Sequence, residues 1–345
     1  MSTAFGGWTA LFRSVVAGHD LSANETEAAM GEILRGDATP AQIAGFVVGL
    51  RMKGESVDEI LGLVRGMRAA ATPLDLGDLR DVVIDIVGAG GAPSRQAHAL
   101  NVSTMACFVA AGAGAKVCKH GNRRASSTSG SFDLLEALGI PVEMPPELVV
   151  RCVREAGVGF AFARVFHPAM RFAAPVRAEI GVPTFFNILG PLSNPAGVRR
   201  GVIGVGDVSM GDKVAGVLAA AGALDMWVVT GDGPVDEVAL TGPTLVRRVR
   251  NGEVERFEIT PADAGLATVP ANALAGGDAV RNAEILEAML QGARSSMRDM
   301  VVLNAAAALV AAGVAADLRD GAARAGESLD SGAAAQVLAA LRSLI

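Results

Sequence analysis

The segment DVVIDIVGAGG, at residues 81–91, decides the fold class. Residues 82–87 form an almost continuous apolar run that ends in a cluster of glycines. Such a run is typical of a strand buried on both faces of a parallel sheet. A helix rich in small residues is predicted to follow from Asn101 to Ala113. The segment therefore predicts a buried strand, a glycine loop and a helix in succession.

The same alternation continues along the chain, with β-type apolar runs separated or followed by alanine-rich helical segments. Strands alternating with helices predict an α/β fold with a mostly parallel central sheet, covered by helices on both faces. Ligands bind such sheets at the carboxyl ends of the strands. The further predicted strands are 115–118, 158–162, 202–205 and 226–230, and the predicted helices are 213–221, 279–292, 299–312 and 333–345.

The first 75 residues have a different character. Capping boxes begin at Ser22, Thr39 and Ser56, each with Glu or Gln three residues later and an apolar stripe at helical spacing behind it. They predict a small helical domain at residues 1–75, completed by helices around 166–190. The α/β catalytic domain is predicted to occupy residues 76–345.

Composition limits the classes of function. Hydrophobic residues make up 51% of the chain and charged residues 19%, so a large core can form. The net charge of −6 argues against nucleic acid as a partner, because non-specific binding needs a basic surface. Three cysteines without C-x-x-C spacing suggest neither a disulfide framework nor a zinc site. No apolar run approaches the length of a membrane span, so we expect a soluble cytoplasmic protein.

Two segments could bind a polyanion. Glycines at Gly88, Gly90 and Gly91 between a strand and a helix allow backbone N–H groups to approach a phosphate, although a simple tight turn explains them equally well. The segment KHGNR, at residues 119–123, follows the strand predicted at 115–118 and clusters several hydrogen-bond donors at its end. Hydroxyls within residues 126–130 follow it. A solvated basic loop is the alternative interpretation of this cluster.

Acidic and basic side chains further along add to this picture. The adjacent carboxylates Asp236 and Glu237 follow a predicted strand and suit Mg²⁺, which takes one or two carboxylates together with substrate phosphates. A solvated acidic pair is the alternative. His167 could act as a general base or a hydrogen-bond donor, or be structural. Arg177 could clamp a substrate carboxylate, or pair with Glu179 on the surface.

In combination, these motifs resemble the anthranilate phosphoribosyltransferase family of tryptophan biosynthesis. The match is collinear over nearly the whole chain, and its most specific segments are KHGNR and FNILGPL, at residues 186–192. The other matching motifs are TPAQIA at 39–44, MKGE at 52–55, NVST at 101–104, residues 126–130, Asp133 with LEALG at 135–139, HPAM at 167–170, PVR at 175–177, Asn194-Pro195, and Asp236-Glu237 with LTGP at 240–243.

The resemblance implies a small helical domain joined to a large α/β domain, with pairing into a homodimer through the helical domains. It implies a magnesium-dependent enzyme that transfers the phosphoribosyl group of phosphoribosyl pyrophosphate (PRPP) to the amine of anthranilate. By the same resemblance, the magnesium ligands are Ser103, Asp236 and Glu237, and the contacts to the diphosphate and ribose are Gly88, Gly90, Gly91, Asn101, Thr104, Lys119, Ser127 and Ser129. The acceptor is expected at His120, Asn122, His167 and Arg177, of which His120, Asn122 and Arg177 are the catalytic candidates, and Arg177 is the partner of the acceptor carboxylate.

One segment departs from the family pattern. The family's loop normally contains G-T-G-G-D-G, whereas residues 88–93 are GAGGAP. The threonine and the aspartate are lost, and Pro93 lacks an N–H that a phosphate could use. Arg95 and His98 lie in a stretch that is longer than usual. Loss of one charged contact costs about 1.5–3 kcal/mol, which is one to two powers of ten in affinity.

Three hypotheses remain open on the sequence. The chain is an anthranilate enzyme with an altered loop, or a phosphoribosyltransferase for a different aromatic amine, or a catalytically silent relative that binds a ligand. A pyrimidine-type nucleoside phosphorylase would share the fold. Residues 166–192 and the acidic pair Asp236-Glu237 favour the transferase over the phosphorylase.

Overall fold

The computed structural model describes residues 5–90, 100–123 and 129–345. In this part of the chain, four helices precede the first strand and the others alternate with strands or follow them. The helices are α1 (Trp8–Val16), α2 (Ala23–Arg35), α3 (Pro40–Lys53), α4 (Val57–Ala69), α5 (Val102–Gly112), α6 (Ser131–Ala137), α7 (Pro146–Glu155), α8 (Ala163–Phe166), α9 (Ala174–Ile180), α10 (Phe186–Leu192), α11 (Val208–Ala220), α12 (Ala279–Leu290), α13 (Ser296–Ala312), α14 (Leu318–Asp330) and α15 (Ala333–Leu344). The strands are β1 (Val83–Gly88), β2 (Lys116–Gly121), β3 (Val158–Phe162), β4 (Arg200–Gly204), β5 (Asp225–Gly231), β6 (Thr244–Arg250) and β7 (Glu253–Ile259).

The strands of the described residues form one sheet in the order β3-β2-β1-β4-β5-β6-β7. The first five are parallel, and β6 and β7 are added antiparallel at one edge. Successive residues of a strand face opposite sides, and both sides of the central strands are apolar. Ile86 and Val202 pack among α5 and α13, whereas Val87 and Ile203 pack among the helices of the N-terminal bundle. The prediction of a mostly parallel sheet covered on both faces is confirmed.

The capping boxes form as the sequence predicts. The side-chain oxygens of Ser22, Thr39 and Ser56 each accept the N–H three residues ahead, and the Glu or Gln at that position accepts the N–H of the cap. Each box satisfies two of the N–H groups that a helix start leaves without an intrahelical partner. These boxes therefore fix where α2, α3 and α4 begin.

One sequence-based assignment is wrong, and one pair of strands was missed. The strand predicted at 115–118 continues to Gly121, because its neighbour β3 pairs with Lys119, His120 and Gly121, so Lys119 and His120 lie within β2 and not in a loop. The hairpin of β6 and β7 was not predicted, because charged residues interrupt its apolar alternation. Arg247 of β6 is nevertheless fully buried, bonded to Asp212 at 2.5 Å.

The N-terminal helices share a core with later parts of the chain. Phe46 of α3 packs edge-on against Phe185, and Ala173 and Val176 lie in the same apolar cluster. This packing supports the proposal that residues around 166–190 complete the helical domain of residues 1–75, and the division from residues 76–345 stays a prediction. Among the described residues, no helix is long and apolar enough to span a membrane.

Candidate active site

The carboxyl ends of β1, β2, β4 and β5 bring most of the described candidate residues to one edge of the sheet. Lys119 of β2 is fully buried, and its ammonium donates to the carbonyl of Ile86 and to Ser103 Oγ, the latter at 3.2 Å. No carboxylate of the described residues forms an ion pair with it. A buried ammonium without an ion-pair partner is costly, so this position favours an anion from outside the protein.

The start of α5 adds neutral donors beside Lys119. Asn101 directly precedes the helix, but its side chain does not cap it. The side chain instead donates to the carbonyl of Ser129 and accepts the Ser129 hydroxyl at 2.9 Å. The first N–H groups of α5 therefore receive no side-chain cap, and the helix dipole favours a negative charge there. Thr104 is fully buried, and its hydroxyl has no hydrogen-bond partner among the described residues.

Asn101 is itself held in place by a residue that the sequence analysis did not single out. Asn282 of α12 is fully buried and donates from Nδ2 to Asn101 Oδ1 at 2.7 Å. Asn282 Oδ1 accepts the N–H of Gly277 at 2.9 Å. A buried amide within a helix carries a cost unless it is bonded, so its polar partner has to be close. That rule could have marked Asn282 in the sequence, although it could not have identified Asn101 as the partner.

Asp236 and Glu237 lie in the segment between β5 and β6, and both are largely buried. Asp236 Oδ2 accepts the N–H of Gly90 at 2.8 Å, which joins the acidic segment to the glycine loop. Two glycines make this approach possible. A Cβ on Gly88 would lie 2.3 Å from Asp236 Oδ2, and one on Gly204 would lie 1.8 Å from the Asp236 carbonyl oxygen.

The structure therefore places Gly88 and Gly90 against Asp236, and the Gly90 N–H that was expected to face a phosphate is bonded to a carboxylate. Gly91, Ser127, Arg95 and His98 lie outside the described residues, as does the altered part of the loop at Ala92-Pro93. Predictions that rest on these positions stay predictions.

Ser103, Asp236 and Glu237 have the chemistry that a magnesium ion requires. All three offer hard oxygen donors, which Mg²⁺ prefers. Within the described ranges, no group of three or more His, Cys, Asp or Glu side chains could hold a metal alone. Two carboxylates and a hydroxyl fit an ion that completes its shell with water and substrate phosphates. The three residues fit Mg²⁺ in that role.

His120 and His167 lie beside each other with ring centroids 5.0 Å apart, and both are buried. His120 Nδ1 is 3.0 Å from the carbonyl oxygen of Gly190, and His167 Nε2 is 3.0 Å from that of Ser193. A carbonyl only accepts, so each of these nitrogens carries the proton. His120 Nε2 and His167 Nδ1 have no partner among the described residues and are left with a lone pair.

Burial keeps both imidazoles neutral. It lowers the pKa of His120 to about 3, with a further contribution from His167, and lowers the pKa of His167 to about 4. An imidazole with so low a pKa is a weak base near neutral pH. The general-base interpretation of His167 is therefore disfavoured, and its donor nitrogen is already bonded to Ser193. Each ring therefore keeps one acceptor nitrogen that is enclosed by the protein and has no partner among the described residues.

Arg177 of α9 is half-buried and lies 5.8 Å from the ring centroid of Phe186. Burial lowers the pKa of its guanidinium. Neither Glu179 nor any other acid of the described residues forms an ion pair with it, so the surface-pair interpretation is not supported. A partly desolvated guanidinium without an acidic partner suits the bidentate binding of a carboxylate.

Asn122 and Arg123 are exposed, in contrast to Lys119 and His120 of the same motif. Asn122 Oδ1 accepts the N–H of Arg123 at 2.8 Å, and Arg123 pairs with Glu136 at 2.6 Å. The structure therefore divides the KHGNR motif into two buried residues at the sheet edge and two residues on the surface.

We call Asn101, Ser103, Thr104, Lys119 and Asp236 the diphosphate side, after the role that the resemblance implies for them. By the same convention, His120, His167 and Arg177 are the acceptor side. Asp85, which the sequence analysis did not single out, lies beneath both. Its buried carboxylate accepts the Asn194 amide at 2.8 Å and the N–H of His120 at 3.3 Å. Burial raises the pKa of Asp85 to about 6 against the opposing charge of Lys119. A charged residue within an apolar strand was the signal in the sequence.

A cavity of about 330 Å³ opens beside the acidic segment, between the helical bundle and the sheet edge. Gly90, Gly206 and Pro234 line it from the sheet, and Arg51 and Asn187 line it from the helices. Of the described candidate residues, only Gly90 lines this cavity, so it lies next to the acidic segment and does not enclose the diphosphate side or the acceptor side.

Comparison with known proteins assigns most of the chain to one family. The helical bundle domain of a glycosyl transferase family matches residues 9–71, and its α/β domain matches residues 80–335. An anthranilate phosphoribosyltransferase of Anaeromyxobacter sp. (strain K) is 52% identical over 324 residues, which cover 94% of each chain.

Comparison with solved structures gives the same family. The crystal structure of anthranilate phosphoribosyltransferase from Thermus thermophilus matches with a TM-score of 0.90 and 42% identity, over 96% of this chain and 98% of that one. The enzyme from Saccharomyces cerevisiae in complex with PRPP and Mg matches with a TM-score of 0.88 and 26% identity, over 98% and 97% of the two chains. The same yeast enzyme has been solved in complex with 4-fluoroanthranilate.

Proposed function

Since the chain belongs to the anthranilate phosphoribosyltransferase family, we propose that it transfers the phosphoribosyl group of PRPP to the amine of anthranilate in tryptophan biosynthesis. The amine nitrogen forms a bond to C1 of the ribose, the bond from C1 to the pyrophosphate oxygen breaks, and the proton of the nitrogen passes to the released pyrophosphate or to water. The observation that carries the proposal is the buried Lys119 ammonium at the sheet edge, without an ion-pair partner among the described residues.

The diphosphate side would bind the leaving group. Negative charge grows on the pyrophosphate as its bond to C1 breaks, and fixed donors in a water-poor site stabilise that charge more than water does. Lys119, the uncapped N-terminus of α5 and the unpartnered Thr104 hydroxyl are such donors. Mg²⁺, held by Ser103, Asp236 and Glu237, would supply further positive charge to the diphosphate.

The acceptor side would orient anthranilate. Arg177 would bind its carboxylate, and the lone pairs of His120 and His167 would accept the N–H groups of the amine. An aryl amine is unprotonated near neutral pH, so activation by a strong base is not required and positioning supplies much of the rate. Two neutral imidazoles are consistent with this requirement. Asn122, exposed after β2, stays a candidate next to residues outside the described ranges.

The test is an assay with anthranilate, PRPP and Mg²⁺ that follows the loss of anthranilate fluorescence and the release of pyrophosphate. Asp236→Asn protein and a metal-free sample are the controls. Turnover that both controls abolish supports the proposal. Magnesium-dependent PRPP binding without turnover would indicate a different aromatic amine, and a screen of acceptors would follow. Folded protein that neither binds PRPP nor turns over anthranilate would refute the proposed enzymatic activity.

A homodimer through the helical domain is part of the same proposal. Met52 and Val48 lie one turn apart on α3 and leave 83% and 37% of their surface exposed, and Val16 at the end of α1 is 88% exposed. Exposed apolar groups on two neighbouring helices are typical of an interface. Sedimentation should give twice the chain mass for the wild type and the chain mass for Met52→Glu. A wild-type monomer would contradict the proposal.

A further inference from the structure

One residue of α13 forms hydrogen bonds to the segment that carries Asp236 and Glu237. Asn304 Oδ1 accepts the N–H of Val238 at 3.0 Å, and Asn304 Nδ2 donates to the carbonyl of Val238 at 2.9 Å. The same Nδ2 donates to the carbonyl of Met300 at 3.0 Å. The side chain therefore pairs with both backbone groups of Val238, much as a neighbouring strand would.

The position of Asn304 gives this pairing its weight. Asn304 is the one polar residue between Met300 and Ala311, in a stretch of α13 that is buried throughout. A polar side chain in such a setting is unfavourable unless its hydrogen bonds are satisfied, and an apolar residue would fill the space without that requirement. α13 packs against α5, α14 and the sheet, so Asn304 extends from one of the most enclosed elements of the fold.

Val238 directly follows the two candidate metal ligands. On its other side, the N–H of Ala239 donates to Thr244 Oγ1 at 2.9 Å. The carboxylate of Asp236 reaches Gly90 across the sheet edge. The segment between β5 and β6 is therefore hydrogen-bonded at three points: to α13 at Val238, to β6 at Ala239 and to the glycine loop at Asp236.

We infer that Asn304 is a positioning residue for the magnesium ligands: by fixing the backbone at Val238, it sets where the carboxylates of Asp236 and Glu237 point. The inference rests on the proposed function, since it concerns the metal of that reaction. The hydrogen bonds of Asn304 to Val238 and Met300 go to backbone groups, so it acts through the segment and not as a ligand itself. Residues that hold metal ligands in place typically change metal affinity or activity by about 10- to 100-fold when they are replaced.

The test compares wild-type protein with Asn304→Ala and Asn304→Asp. Aspartate keeps the size and can still accept the Val238 N–H, but it offers no donor to the carbonyls of Val238 and Met300, so it serves if the alanine variant fails to fold. Ser328→Ala is the matched control, because it removes a buried hydrogen bond from the neighbouring helix α14 to the carbonyl of Val109, away from the acidic segment.

Three measurements are made. Hydrogen exchange reports the protection of residues 236–240, paramagnetic resonance reports binding of Mn²⁺ in the presence of PRPP, and kinetics report the Mg²⁺ concentration for half-maximal rate. In both Asn304 variants we expect faster exchange in 236–240 and metal binding weakened by about 10- to 100-fold, with the KM for anthranilate unchanged. High Mg²⁺ should restore most of the rate. Ser328→Ala should change none of these.

The outcomes separate the two proposals. Wild-type protein that binds no Mn²⁺ and has no turnover overturns the proposed function, and the inference with it. Wild-type binding that both Asn304 variants retain overturns the inference alone. Faster exchange at 236–240 without a loss of metal affinity also overturns it, because Asn304 would then be structural only.

Discussion

The two sides of the site use their polar groups differently. On the diphosphate side, most polar side chains bond one another or nearby backbone: Lys119 bonds Ser103, and Asp236 bonds Gly90. On the acceptor side, His120 and His167 each bond one backbone carbonyl and leave the second nitrogen without a partner among the described residues. Arg177 likewise has no acidic partner there. Charged groups therefore dominate the diphosphate side. On the acceptor side, the main features are two buried, neutral imidazoles whose tautomers are fixed by backbone carbonyls.

The largest effect is expected from charge at Asp236. Asp236→Asn keeps the size and can still accept the Gly90 N–H, but it removes the negative charge that a magnesium ligand needs. We expect kcat/KM to fall by about 10³-fold, near the upper end for loss of one electrostatic contact. Steady-state kinetics at saturating Mg²⁺ measure this, and a fall below tenfold would contradict a metal role.

Lys119→Met should lower kcat/KM by about 100-fold, because one charged contact to the diphosphate is worth about 1.5–3 kcal/mol. Stability should fall as well, because the change removes the attraction between Lys119 and the buried Asp85 carboxylate together with the hydrogen bonds to Ile86 and Ser103. Urea denaturation beside the assay tests both parts. Lowered stability with unchanged activity would mean that Lys119 is a structural residue.

Asp85 lies beneath both sides, and its titration is expected to make the stability of the protein depend on pH. Its pKa is raised to about 6, above its usual value of 3.8, so the folded state binds the proton more tightly than the unfolded state does. Stability from this group is therefore complete below pH 3.8 and is lost as the pH rises through 6, by about 3 kcal/mol at most. We expect wild-type stability to decline over this window relative to Asp85→Asn, measured by denaturation at several pH values. A constant difference would contradict the raised pKa.

Arg177→Met should act on the acceptor side alone. The KM for anthranilate should rise by about 10- to 30-fold, for loss of a charged contact that is only half-buried. Binding of PRPP and Mg²⁺ should stay within about twofold of wild type, which calorimetry can check. An equal loss of affinity for PRPP would contradict the assignment of Arg177 to the acceptor side.

The sequence predicted the two sides to different degrees. The strand at residues 82–87 and the capping boxes are local patterns, so β1, α2, α3 and α4 could be predicted closely. The residue types on the diphosphate side also revealed its charge. The sequence did not predict the hydrogen-bond partners. Asn304 stands out as a polar residue in an apolar stretch of α13, and Asn282 lies among the buried residues of α12. The groups that Asn282 and Asn304 bond lie 181 and 66 positions away.

The same limit explains the edge of the sheet and the histidines. Arg247 interrupts the apolar alternation of β6, and the partner that allows its burial, Asp212, belongs to another element. The tautomers of His120 and His167 depend on two backbone carbonyls that only the fold brings near them. A sequence pattern identifies a histidine, but the role of that histidine depends on which nitrogen the fold has already bonded.

The smallest effect on activity is expected from the titration of His167. Its pKa is lowered to about 4, so it stays neutral through the range in which an ordinary histidine becomes charged. His167→Gln, which does not titrate, serves as the reference. The ratio of wild-type to variant kcat/KM should stay within about twofold between about pH 8 and 5.5. A roughly tenfold fall of the ratio in that window would mean that His167 works near its ordinary pKa.

Stability should respond where activity does not. The folded pKa of His167 lies below the unfolded value of 6.5, so its stabilising contribution is present above pH 6.5 and is lost as the pH falls towards 4. Wild-type protein should therefore lose stability relative to His167→Gln over this window, while the activity ratio stays flat. Asp85 changes stability in the opposite direction between pH 3.8 and 6, so only the matched variant isolates the histidine. A flat activity ratio with a falling stability difference would identify the acceptor side as a desolvated pocket and not as an acid–base site.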